Sequence, residues 1–278
     1  MKSPSKSFLW IPATRRTLPW LAILALYTVA VQLLVPLTAL SFDIWDREAL
    51  GSVGLILSLL IAFRNKVTFD RWWEGRIIWG KLVNDSRNLV LKAKAAVPLN
   101  EVEASELADL VGGFAHALLR HLRGSGRLQD NPRYQAEVEQ PAHVPMWFAA
   151  RVFSLIDGWR RQNRIDGFTL LYLEPHATAL MDASGACERI RNTPLPPTLT
   201  GVLRLGIVLY LAYSPLVATK TMGWSALPAV LLAGYILLVF EMASEIMENP
   251  FGTEADDLDL ERYVEVIKDS VTEIAHLR

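Results

Sequence analysis

Apolar and charged positions fall along this chain in long blocks. Residues 17–42 carry no charge and include WLAILALYTVAVQLLV, enough to cross a bilayer as a helix. Basic residues precede this block and small ones follow it, as in a secretory signal. Its apolar core, however, outruns the roughly 7–15 residues of a signal h-region, so a spanning helix is the better reading. A second uncharged block, residues 49–63, has only 15 residues, and Arg64, Lys66, Asp70, Arg71, Glu74 and Arg76 follow it at once. No proline occurs from Asp46 to Val97, which predicts one long helix that starts in a membrane and runs into water towards Ala96. Gly51, Ser52, Gly54 and Ser58 suit close helix packing where the apolar part falls short of a full span. A third apolar block lies near residues 199–217, with Arg204 close to its start. The fourth covers residues 224–240, bounded by Trp224 and Glu241.

The 135 residues from 64 to 198 are polar on average but keep a helical period. Leu107, Leu110, Val111, Phe114, Ala117, Leu118 and Leu122 recur every three or four positions, with Asn100 as N-cap and Glu101 and Glu103 in the first turn. Residues 124–145 form a loop-rich break. Helical patterns resume over 146–162 and 169–190, and the prolines of residues 194–197 close the polar region. Alternating β-branched runs are few, so the predicted fold class is all-α. The chain divides into an N-terminal segment (1–16), spans 1 and 2 (17–63), a cytosolic helical region (64–198), spans 3 and 4 (199–248) and a C-terminal segment (249–278).

A mean hydropathy of +0.23 and 51% hydrophobic residues imply both a membrane part and a polar part. Lys2, Lys6, Arg15 and Arg16 stand without an acid in the first 17 residues, and the stretch after Phe63 is rich in Arg and Lys, whereas the two short connections hold one base each. The positive-inside rule then puts both termini and the middle region in the cytoplasm. A pI near 6.5 gives nucleic-acid binding no support. Cys187 is the only cysteine, which excludes an intrachain disulfide and a thiolate metal site.

No catalytic constellation declares itself. His116, His121, His143, His176 and His276 show no HExxH or i,i+4 ligand spacing, and phosphate loops and a GxSxG elbow are absent. No metal site, cofactor or enzymatic activity is expected. Glu241, Glu245 and Glu248 share one helical face; an Arg-paired helix end is the plainer reading and a cation-attracting ring the sharper one. Leu55, Leu59 and Phe63, four apart, form one stripe on the second span. On a lone helix such a stripe is core; nearest the axis of a symmetric oligomer it is a hydrophobic constriction that can gate by dewetting.

Taken together, FRNKVTFDRWWEGRIIWGKLVNDSRNL, the ENPFG turn before an acidic run, and four spans around a large cytosolic middle resemble the bestrophin family in its bacterial branch. The resemblance covers nearly the whole chain. It implies a homopentameric ion channel in a bacterial inner membrane with one axial pore. The second span would line a narrow neck, and counting back from Arg71 gives Leu55, Leu59 and Phe63 as its three hydrophobic positions. Bacterial relatives look cation-permeable, so monovalent cations such as Na⁺ are the expected cargo. The acidic residues Asp43, Asp46 and Glu48, against the single base Arg47, would concentrate cations at the outer mouth. An anion channel of the same architecture and a membrane scaffold or sensor are the competing readings. In animal members an acidic cluster after NPFG binds Ca²⁺; here Thr253 and Ala255 interrupt it, so no Ca²⁺ requirement is expected.

Overall fold

A computed structural model describes residues 12–34, 47–130, 134 and 140–277. Among these residues there is no strand, so the all-α expectation holds. The described residues form the α-helices α1 (Pro12–Leu34), α2 (Arg47–Ala96), α3 (Glu101–Leu122), α4 (Val144–Arg161), α5 (Gly167–Asn192), α6 (Pro197–Met222), α7 (Ala226–Glu248) and α8 (Leu260–His276). The long helix read from the proline-free stretch is α2, with 50 residues. Stretches long and apolar enough to cross a membrane are Ala13–Leu34, Glu48–Ala96 and Pro197–Glu248, the last comprising α6, the short 3-10 turn Gly223–Ser225, and α7. The chain forms two compact units, and α2 contributes residues up to Trp72 to the first and from Trp73 to the second.

In the first unit, α1 packs against α7 and α6, and α6 against α7. Leu24, Leu57, Ile61, Leu203, Ile207, Leu211, Val230 and Leu237 form its core. Small residues admit the close approaches: a Cβ on Gly234 would overlap the Leu24 side chain, and one on Gly54 would meet the Tyr210 hydroxyl at 2.9 Å. Gly51, also read as a packing residue, has open space beside it, and Ser52 and Ser58 are exposed with their hydroxyls donating to the carbonyls of Glu48 and Gly54. Pro215 interrupts α6 and cannot donate to the Leu211 carbonyl; the Ser214 hydroxyl donates to that oxygen instead, at 3.4 Å.

The second unit is built around α3, which packs on α8, α4 and α5. Asn100 caps α3 as expected, and the full capping box is present: Asn100 accepts from the Glu103 amide at 2.9 Å while the Glu103 carboxylate accepts from the Asn100 amide at 3.0 Å. Arg164 donates to the same carboxylate. The Arg164 hydrogen bond, followed by the Asn100 amide, holds the Glu103 carboxyl below the usual 4.5. Unfolding therefore takes up a proton in acid, so stability present above about pH 4.5 is lost as the pH falls through the lowered value. Glu103→Gln keeps the box but not the charge. Its unfolding midpoint is expected to fall less between pH 6 and pH 3 than that of the wild type, as read by chemical denaturation monitored by circular dichroism.

Helix α8 was not read from the sequence, although Leu260, Val264, Ile267, Val271 and Ile274 mark one buried face at helical spacing. Asp259 caps it, accepting from the Arg262 amide at 3.3 Å, and Lys94 donates to the carbonyls of Ile274 and Ala275 at its other end.

Candidate functional site

The stripe Leu55, Leu59 and Phe63 does not face the core of its own chain. Leu57 and Ile61 of the same helix are 6% and 5% exposed and belong to the core, whereas Leu55, Leu59 and Phe63 are 74%, 56% and 63% exposed. Two residues along a helix turn through about 200°, so the stripe points nearly opposite to the face that packs on α6 and α7. Three large apolar side chains one turn apart are thus left uncovered by the described residues of this chain. Glu48 is exposed in the first turn of α2; Asp43 and Asp46 lie outside the described residues.

Below the stripe, charged residues tie three helices together. Arg64 of α2 pairs with Glu241 of α7, with side chains 2% and 4% exposed. Arg204 of α6 donates from Nε to the other Glu241 oxygen at 2.6 Å and from Nη2 to Glu245 at 2.9 Å. Glu248 lies 3.6 Å from Arg64 Nη2 and accepts from the Leu195 amide at 3.1 Å. The three carboxylates at i, i+4 and i+7 thus meet arginines, the plainer of the two sequence readings. Spacing could place the acids on one face, but only the fold shows Arg64 and Arg204 opposite them.

The two motifs that carry the resemblance lie against each other. Within the first unit, Arg71 donates to the Glu248 carbonyl at 3.4 Å, putting a cation on the C-terminus of α7, and the Trp72 indole donates to the Asp256 carbonyl at 3.0 Å. Within the second, Phe251 is fully buried against Gly75, where a Cβ would come within 3.1 Å of the ring. The bare backbone at Gly75 is what lets Phe251 of NPFG seat. Asp70 pairs with Lys66 one turn away on the same helix, while Glu74 reaches across to Arg189 of α5 at 2.6 Å. Trp79 is fully buried beside Tyr263, a packing residue, and Trp73 lies under the Arg76 guanidinium. In the acidic stretch, Glu254 pairs with Arg16, Asp257 accepts from the Glu254 amide at 2.7 Å, and Asp259 caps α8.

Cys187 is buried in the second unit. Burial first, and then the charge of Glu188, push its thiol up to about 12. Native protein at pH 8 is expected to resist maleimide labelling, and protein unfolded in guanidinium to label to completion; mass spectrometry reads both.

Sequence spacing missed one cluster. His121 from the last turn of α3, His143 at the N-cap of α4 and Glu188 of α5 come together with their ligand atoms within 4.8 Å of one another. No pair of them is close in sequence, so an i,i+4 test cannot find them. Burial, then the neighbouring His143, lowers the His121 pKa. The Glu188 carboxyl also stands below its usual value: burial pushes it up, but hydrogen bonds from His143 and Ser184 outweigh that.

Known proteins share this architecture. The family profile described as Bacterial/Fungal Bestrophin protein matches residues 12–273. A voltage-dependent anion channel-forming protein of Mesorhizobium japonicum is 28% identical over 265 residues, covering 93% of this chain and 84% of that protein. One of the same description from a Nostoc species is 29% identical over 264 residues, covering 91% and 83%. The crystal structure of a bacterial bestrophin homologue from Klebsiella pneumoniae superposes with a TM-score of 0.85 at 18% identity, covering 93% of this chain and 98% of that one, a likeness of fold. This chain belongs to the bacterial and fungal bestrophin family.

Proposed function

We propose that this protein is an ion channel of a bacterial inner membrane, assembled from five copies around an axial pore that α2 lines, with Leu55, Leu59 and Phe63 as the hydrophobic neck. The single observation that carries this reading is the stripe of large apolar side chains turned away from the core of its own chain. In lipid alone such a stripe needs no partner, but α2 also carries Lys66 and Asp70 on exposed positions directly beyond it. A helix that passes from exposed leucines to exposed charges within one turn suits a water-filled path that narrows to an apolar ring. The acid-free basic N-terminus and the bases after Phe63 support cytoplasmic termini. Family membership supports a transport role over an enzymatic one.

The permeant ion has two readings, each with its own support. The names of the relatives favour anions. The resemblance to bacterial members and the acidic residues Asp43, Asp46 and Glu48 favour Na⁺ and similar cations. A planar bilayer holding the purified protein under a NaCl gradient separates them. Reversal near the Na⁺ potential selects the cation reading, and reversal near the Cl⁻ potential selects the anion reading. Absence of current from wild-type and neck-truncated protein alike would overturn the channel and leave a scaffold or sensor.

A further inference from the structure

We propose that His121, His143 and Glu188 form a binding site for a divalent transition-metal ion of the Zn²⁺ class in the second unit, which would clasp α3, α4 and α5 together. Two imidazoles and one carboxylate suit a borderline ion better than Ca²⁺ or Mg²⁺, which take oxygen ligands. His143 Nε2 lies 2.7 Å and His121 Nε2 3.4 Å from the same Glu188 oxygen, and the ring centroids are 4.5 Å apart. Donor atoms about 2 Å from a tetrahedral ion stand roughly 3.3 Å from one another, so small side-chain rotations seat an ion among all three. The side chains are 29%, 23% and 27% exposed, close enough to the surface for an ion to enter. A cavity of about 260 Å³ opens on the His121 side of the cluster, lined by Gly124, Ser125 and Gly126 among others. Ser184 donates to Glu188 at 2.8 Å and fixes the carboxylate, the outer support that ligating carboxylates need.

A metal-free role competes with this one. His143 Nδ1 accepts from the Met146 amide at 3.0 Å as the cap of α4, which places the ring proton on Nε2, where it can be donated to Glu188. Ligation by a neutral imidazole through Nε2 moves that proton to Nδ1, which can then no longer accept, so the ion must displace the cap bond. A single solvent-exposed cap contributes far less than a bound transition metal, and the balance favours the ion. Metal binding is therefore accompanied by loss of the His143–Met146 bond.

The test uses the full-length protein, stripped with chelator and titrated with Zn²⁺ against a chromophoric competitor. His143→Asn keeps a capping side chain and Glu188→Gln keeps the contact with Ser184, yet each removes a ligand. The expected result is one tight ion per chain in the wild type, bound at least about tenfold more weakly by each variant. X-ray absorption of the Zn²⁺-loaded wild type is expected to show two imidazoles in the coordination shell and needs no variant to fold. An all-oxygen shell, affinities unchanged in both variants, or no competitive binding by the wild type would overturn the site.

Discussion

Leu59→Ala is expected to raise single-channel conductance. Leu59 is the middle of the three proposed neck positions, and in the proposed pentamer the substitution removes five isopropyl groups from one ring. A hydrophobic constriction resists ions because water leaves it, and widening the ring lets water remain. If that ring is the main barrier, lowering it by ~1.4 kcal/mol gives about tenfold more current at the same voltage. Leu55→Ala is expected to act in the same direction. Ile61→Ala, by contrast, empties a packed position on the opposite face of α2 and should lower stability without raising conductance. Single-channel recording of the three variants separates the faces. Unchanged conductance in Leu59→Ala would place the limiting barrier elsewhere.

The largest loss of stability is expected from Glu241→Ala. Its carboxylate faces the Arg64 guanidinium where both side chains are nearly inaccessible, and it also accepts from Arg204. Among the described residues, removing it leaves Arg64 with Glu248 at 3.6 Å as its remaining carboxylate. Breaking one side of a buried pair costs about 3–5 kcal/mol, most of it the penalty of an uncompensated buried charge. The double variant Arg64→Met, Glu241→Leu removes both charges while Arg204 keeps Glu245, so it should recover most of the loss. Chemical denaturation of the wild type, both single variants and the double variant in detergent measures the coupling. Equal instability in the double variant would mean that the pair is held for its hydrogen bonds rather than for charge balance. Arg64 follows Phe63 directly, so the same network that fixes α2 against α6 and α7 bears on the direction in which the Leu55, Leu59 and Phe63 stripe points.

Much of this architecture was legible because its signals are local. The unbroken run to Ala96 could be read from missing prolines, and the start of α3 from Asn100 and Glu103. The stripe of Leu55, Leu59 and Phe63 could be read as a stripe, but not as an open one. Leu57 and Ile61 are equally apolar, and period alone cannot say which face packs inside the chain. Tertiary pairing was less accessible: Asp70 satisfies Lys66 locally, whereas Arg64 and Glu241 meet across 177 positions. Helix α8 had a clear apolar face that the acidic character of the C-terminal region obscured. The cluster of His121, His143 and Glu188 had no sequence signature, since three helices each supply one residue.

Cysteine accessibility tests whether α2 lines the pore. The one native cysteine, Cys187, is buried, so Leu59→Cys adds a single reactive thiol to a silent background. Bilayer current through this variant should fall irreversibly when a charged methanethiosulfonate reagent is added, while the wild type is unaffected. Labelling of Leu59→Cys confirmed by mass spectrometry with no change in current would contradict a pore along this face of α2.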